Sequence, residues 1–368
     1  MNELQIKLNN VVNVKNLNID VKRLNIVCGD NNIGKSDVIN AVYGLFQNCK
    51  TVSNLKISKA KLKQLQNNGY VTIDLSTFIK NIKKVLSKNY TKNLHNVFST
   101  HEDFFKLSKV STDFNISLEK SYNYELDLYG TNYYFEKKLD ESTLKIIVLK
   151  GEKGITLGYD AINDIILYVI NSILLDQVFN NSFIATSDRS SIITFAGILK
   201  NRGNTVITEM KKDPENIEYI LNKCRYRLSI IDEMNFIGDI GNVTKRISSI
   251  DNSKLTEIID GTFSYNSDIG DIFYNSFDGN AVIPIGYTSS FIQSFVSLYF
   301  YTKYVAKKGD MIFIEYPELF LDYRNKVKMI EFVKSLLDSD IDIFITTSDE
   351  VIANGFSEFK EKSLIQLN

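Results

Sequence analysis

The sequence is poor in the residues that build metal cages and covalent cross-links. Its three cysteines, Cys28, Cys49 and Cys224, lie far apart with no CxxC pair, and its two histidines are His95 and His101. The usual zinc cage needs more such ligands, closely spaced, so neither a structural metal site nor an HNH-type nuclease centre is expected. Long apolar runs are missing too. The longest, Ile165–Ile170, falls far short of the roughly twenty residues that cross a bilayer. No leader of basic, apolar and small-residue regions opens the chain, so a cytoplasmic protein without a membrane role is expected. There is no Pro/Gly/Ser-rich linker, no internal repeat and no sustained heptad, and the last absence excludes a long coiled-coil arm.

The apolar and charged fractions, 44% and 24%, are those of an ordinary folded protein. At 368 residues the chain exceeds what one compact core usually holds, so an α/β core carrying a second lobe is expected. Net charge is −1, but its distribution is uneven. Between Lys50 and Thr100 the lysines at 50, 56, 59, 61, 63, 80, 83, 84, 88 and 92 face the single acid Asp74. Residues 55–93 read as helical, with Phe78, Ile79, Ile82, Val85 and Leu86 on one face and Lys80, Lys83, Lys84 and Lys88 on the other. Such a face suits a nucleic-acid backbone, an acidic protein partner (a second copy of this chain included) or water alone. The dominance of Lys over Arg and the lack of interleaved aromatics favour water.

Leu4–Leu8, Val14–Ile19 and Leu24–Val27 read as short strands. Alternation at Phe114, Ile116 and Leu118, and again at Tyr122, Tyr124, Leu126 and Leu128, predicts antiparallel strands, with Leu144–Leu149 following a turn near Gly130. Residues 160–179 and 205–222 read as helices and Phe183–Thr186 as a strand. Strands are expected at Phe263–Tyr265, Ile272–Tyr274 and Ala281–Ile285, the last two joined through Asp278-Gly279. A helix over Ile292–Tyr304, a strand over Met311–Ile314, a helix over Arg324–Leu337 and a strand over Ile341–Thr346 then alternate as in a parallel sheet wrapped by helices.

The third strand runs into CGDNNIGKSDVINAVYGLF, where Gly29, Gly34, Lys35 and Ser36 satisfy GxxxxGK[ST] between a strand and a helix. Each residue type has a task. Glycines let the loop Gly29–Asn31–Asn32–Ile33–Gly34 turn its N–H groups inward around phosphate oxygens. The helix start adds a favourable dipole, Lys35 reaches the β and γ phosphates, and the Ser36 hydroxyl ligates magnesium. ATP and Mg²⁺ are therefore the expected ligands. Asp37 follows, and its carboxylate favours the helix dipole but repels phosphate.

GDNNIGKS resembles the GxNxxGKS loop of ABC-type ATPases in the RecF, structural-maintenance-of-chromosomes and overcoming-lysogenization-defect groups. IPIGYTSSFIQSFVSLYFYTKYVAKKGDMIFIEYPELFLD is similar to that family's signature helix and Walker B strand, ITTSDEVI to its switch segment, and FIATSDRS to a strand-loop with a fixed arginine, here Arg189. The resemblance covers residues 1–46, 183–195 and 260–356. It implies an α/β ABC-ATPase-like P-loop head with a mixed β-sheet flanked by helices and an inserted helical and antiparallel lobe. The expected segments are 1–49 (head with P-loop), 50–113 (lysine-rich helical insertion), 114–258 (middle lobe) and 259–368 (head with signature-like and Walker B-like segments). Ser289 and Ser290 would close on nucleotide bound by the opposite subunit of a homodimer.

Aligned on Pro317, the family's magnesium-holding Asp corresponds to Glu315, its catalytic Glu to Tyr316, the following Glu to Glu318, and its switch histidine to Ser348. A phenol with pKa near 10 is a poor base, so slow turnover with intact binding is expected. A one-residue offset would instead let Glu315 or Glu318 supply the base. Arg189 could serve phosphate charge or a structural ion pair. The resemblance implies an ATP-controlled assembly switch in prokaryotic antiviral defence. Because the chain ends soon after ITTSDEVI, the nuclease or toxin effector is expected on a separate chain. A RecF-like DNA repair ATPase and a non-hydrolysing scaffold are the alternatives.

Overall fold

A computed structural model describes residues 3–53, 55–128, 130–151, 157–195, 226–248, 250–279 and 282–367. The expected helix 205–222, Cys224 and Ala281 lie outside them. The chain divides into two compact units, each built from separated segments: Met1–Lys7, Gln47–Asn93 and Lys109–Asn180 in one, and Leu8–Phe46, Leu94–Ser108 and Asn181–Asn368 in the other. Among the described residues no helix is long and apolar enough to cross a membrane.

The second unit is an α/β body. Its main sheet orders Lys362–Gln366, Leu24–Cys28, Asp342–Thr347, Met311–Glu315 and Ser182–Ala185, with every neighbouring pair parallel. Three of these strands are buried at every position, which explains why they read as continuous apolar runs rather than as alternation. Helix Tyr323–Asp338 packs Met329, Phe332, Val333 and Leu336 into the same core. Asp322 caps that helix by accepting from the Asn325 N–H at 2.8 Å. A separate antiparallel sheet of this body is Gly261–Asn266, Asp271–Ser276 and Val282–Pro284. Lys362–Gln366, which the sequence reading left unassigned, completes the parallel sheet beside the phosphate-loop strand. The helix expected over Ile292–Tyr304 is two helices, Ser290–Gln293 and Val296–Tyr304. Between them the Ser294 hydroxyl donates to the Phe291 carbonyl at 2.8 Å, a local bond of the kind that competes with the helix ladder.

The first unit is an antiparallel sheet with helices, ordered Tyr70–Asp74, Thr143–Lys150, Thr131–Lys137 and Tyr122–Leu128. Here two expectations are corrected. Residues 55–93 are not one helical stretch. Helix Lys59–Asn68 ends at Gly69, whose φ of 73° is left-handed, and the alternating segment YVTID then forms the strand Tyr70–Asp74 before helix Ser76–Val97 begins. The strand expected around Phe114–Leu118 is instead Lys109–Phe114. Beyond it, Gln177 takes the place of a ladder partner: its Oε1 accepts from the Ser117 N–H at 2.9 Å and its Nε2 donates to the Ser117 carbonyl at 3.1 Å. Thr131–Lys137 is a strand that the sequence reading passed over. Its Lys137 is buried, and its ammonium donates to the carbonyls of Leu118, Lys120 and Lys138.

Candidate functional site

Parallel pairing places the carboxyl ends of neighbouring strands side by side, and in open α/β sheets ligands bind outside those ends. The register sets Thr347 beside Cys28 and Thr346 beside Glu315, so the loops after the three central strands emerge together. Those loops carry Gly29–Ser36, Tyr316–Glu318 and Ser348.

The phosphate loop has the backbone its glycines predict. Gly29, Asn32 and Gly34 have φ of 142°, 64° and 101°. A Cβ on Gly29 would lie 2.3 Å from Ile33 Cδ1 and 2.7 Å from the Leu367 carbonyl, so that position accepts only glycine. Lys35 is 2% exposed and donates to the carbonyls of Gly29 at 2.7 Å and Asp30 at 2.5 Å. Burial pushes its pKa down, and the nearby charge of Glu318 opposes that shift. Two of the ammonium's three N–H donors are used by the loop, and a third is left for an anion. A loop pinned by Gly29 around a buried cation fits a phosphate group, and Ser36 is the residue that would hold a magnesium ion accompanying it.

Asp37 turns toward Asn13, accepting from its Nδ2 at 2.9 Å and its backbone N–H at 3.4 Å. Burial raises its pKa and the Asn13 bonds offset part of that rise. Its side chain is thus tied to the turn between the first two strands.

At the end of Met311–Glu315, Glu315 is 3% exposed and both its oxygens are engaged. Oε1 accepts from Asn40 Nδ2 at 3.1 Å and Oε2 from the Ser187 N–H at 2.9 Å, while burial raises its pKa. Asn40, which the sequence reading missed, lies one turn beyond Ser36 and also donates to the Ser36 carbonyl at 2.7 Å. That i, i+4 spacing is the only sequence signal that could have found it. Tyr316 has a φ of 46°, an uncommon conformation for a non-glycine residue. Its phenol is pushed above its ordinary pKa by burial, offset in part by the nearby Ser36, and its ring centroid lies 5.5 Å from Lys35 Nζ. Glu318 accepts from the Ser348 N–H at 2.9 Å through Oε1, whereas its Oε2 is buried without a hydrogen-bond partner among the described residues. Ser348 in turn donates to Asn31 Oδ1 at 3.0 Å, joining the switch position to the phosphate loop.

Arg189 is 3% exposed and, among the described residues, donates only to backbone carbonyls: Thr186 at 2.9 Å, Glu315 at 2.7 Å and Tyr316 at 3.0 Å. It fastens the unusual backbone at Glu315–Tyr316 to the neighbouring strand end. Ser289 and Ser290 stand apart from this cluster. Both are exposed, Ser289 caps the short helix Ser290–Gln293, and among the described residues no hydrogen bond joins either to the phosphate loop.

Glu233 on helix Leu228–Gly238 is a second residue the sequence reading did not single out. It is buried, accepting from the Ser297 hydroxyl at 2.6 Å and the Thr186 N–H at 2.9 Å, and burial raises its pKa from 4.5 to about 7. The proton it keeps stabilises the fold below about pH 4.5, and that contribution disappears as pH rises through about 7. The full excursion corresponds to on the order of 3 kcal/mol. Thermal unfolding of the parent should therefore lose stability between pH 5 and 8 relative to Glu233→Gln; parallel pH curves for the two proteins would overturn the assignment.

Over residues 3–352 the chain matches the model of the AAA ATPase domain family. No curated relative matches it. Among solved structures it is similar to the SmcHead bound to the C-winged helix domain of ScpA, at 12% identity over 96% of this chain and 91% of that one with a TM-score of 0.36. A second is the Smc head domain with an extended coiled coil bound to the C-terminal domain of ScpA derived from Pyrococcus furiosus, at 13% identity over 96% and 92% with a TM-score of 0.34.

Proposed function

The chain belongs to the AAA ATPase domain family, and from that premise we propose that it is a nucleotide-controlled assembly switch that binds ATP firmly and hydrolyses it slowly. The observation that carries this reading is the contrast within one site. The cradle has a Gly29 that admits no side chain and a buried Lys35, while the neighbouring base position holds a phenol whose burial pushes it away from ionisation. Bound ATP would supply the γ-phosphate charge that a second subunit can recognise.

In this reading two copies close on each other, the exposed Ser289–Ser290 segment of one covering the phosphate loop of its partner. The adjacent Tyr287 is 86% exposed, which leaves apolar surface for such a contact. Slow turnover would keep the closed state assembled. A separate nuclease or toxin chain would act as effector, in an antiviral role that rests on the resemblance of the loop and signature segments.

The test is oligomeric mass with ATP and with ADP for the parent and Ser290→Glu. The parent should gain mass with ATP alone. The added carboxylate puts like charge against phosphate, so the variant should stay small while binding ATP as the parent does. An unchanged mass in all four conditions would remove the switch from consideration.

A further inference from the structure

The lysine-rich segment lacks aromatic neighbours in the sequence, but the fold supplies them. In the first unit, residues Lys50–Lys63 form one wall of a groove of about 1050 Å³ whose other wall is helix Tyr159–Leu175. Lys56, Lys59 and Lys63 are exposed on the first wall, and among the described residues none of them is in an ion pair. From the second wall, Tyr159 and Tyr168 reach the same groove, 45% and 57% exposed. They lie nine residues apart, roughly 13 Å along the helix axis, so one base cannot cover both rings.

We propose that this groove binds single-stranded nucleic acid, with bases stacked on Tyr159 and Tyr168 and backbone phosphates held by Lys56, Lys59 and Lys63. Cationic grooves combined with aromatic platforms recognise single strands because every base has a π-face, while clustered ammonium groups release counterions from phosphate. The acids in the groove agree with this orientation. Asp160 and Asp164 stand on the tyrosine wall, where bases rather than phosphates would lie, and a carboxylate there can accept from an exocyclic amino group such as that of cytosine. A duplex keeps its base faces inside its own stack and offers the tyrosines nothing. The lysine already committed elsewhere is Lys50, which pairs with Asp176 at 2.5 Å and lies 5.8 Å from the Tyr168 ring centroid, holding that ring in place. The inference does not depend on the nucleotide reading, since the groove lies wholly in the first unit.

The experiment is fluorescence anisotropy of the full chain, without ATP, using fluorescein-labelled oligo-dC and oligo-rC of about twelve nucleotides. Binding of either strand, weakening as salt rises, is expected. Tyr168→Ala should weaken it about tenfold, Tyr168→Phe should restore it, and the triple variant Lys56→Glu, Lys59→Glu, Lys63→Glu should abolish it. Reversal of Lys80, Lys84 and Lys88, on the exposed face of helix Ser76–Val97, should leave binding unchanged. Tyr168 is exposed, so its variants should fold as the parent does. The proposal fails if neither strand binds, or if an unlabelled duplex or an acidic peptide competes as well as an unlabelled single strand. It fails equally if the Lys80, Lys84, Lys88 variant loses binding while Tyr168→Ala keeps it.

Discussion

Replacing Lys35 with alanine is expected to weaken ATP binding by about a hundredfold, close to 3 kcal/mol, and to abolish any nucleotide-driven assembly with it. The ammonium is buried inside the loop and held by the carbonyls of Gly29 and Asp30, so it is already in place before an anion arrives. A charge-assisted bond made there is stronger than one made in open water, because little solvent competes for it. Removing the side chain should cost the fold less. Burial already disfavours the charged amine, as the lowering of its pKa shows, and the two carbonyls belong to an exposed or half-buried loop that water can reach. Equilibrium titration should thus separate the two effects, with ATP affinity lost and the unfolding temperature nearly kept. Binding equal to that of the parent would refute the phosphate-loop assignment, and a collapse of stability without loss of affinity would make Lys35 a structural clip.

The phosphate loop was legible because its chemistry sits in consecutive residues, where backbone turn, cation and hydroxyl all follow from GDNNIGKS. The parallel strands were legible because strands buried on both faces appear as unbroken apolar runs such as Met311–Glu315. What the sequence hid has two physical origins. Tyr70–Asp74 pairs with a strand far along the chain, and Thr131–Lys137, although its partners are its chain neighbours, buries the polar Thr131 and Lys137 on the same face as Tyr133 and Phe135, so these short strands carry little local signal of their own. Pairings between polar groups that meet only after folding could not be read, even where a motif named one of the partners. Asn40 against Glu315, Arg189 on three carbonyls and the Ser348–Glu318 bond belong to that class. So do Tyr159 and Tyr168, more than ninety-five residues beyond the lysines they face across the groove. Of the two carboxylates that the one-residue offset left open as bases, burial and bonding distinguish them where spacing could not: both oxygens of Glu315 already accept a hydrogen bond, whereas Glu318 Oε2 has no partner among the described residues.

That difference leads to the second large effect. Glu318→Gln should lower steady-state phosphate release about a hundredfold or more from an already slow parent, while ATP binding persists. A general base needs a free lone pair, an anchored geometry and a charge that its neighbours tolerate. Among the described residues Glu318 Oε2 is buried without a partner, Oε1 is fixed by the Ser348 N–H, and Lys35 lies close enough for its charge and that of Glu318 to attract. Through Oε2 the residue can orient a water molecule and accept its proton. Tyr316 cannot replace it, since burial moves the phenol further from ionisation. Tyr316→Phe should therefore keep the parent rate, because the phenol takes no part in the proton transfer. Measuring phosphate release and ATP affinity on the parent and both variants decides between the residues. If Tyr316→Phe lost turnover and Glu318→Gln kept it, the roles would be reversed, and a parent turning over as fast as ordinary ABC ATPases would end the slow-switch reading altogether.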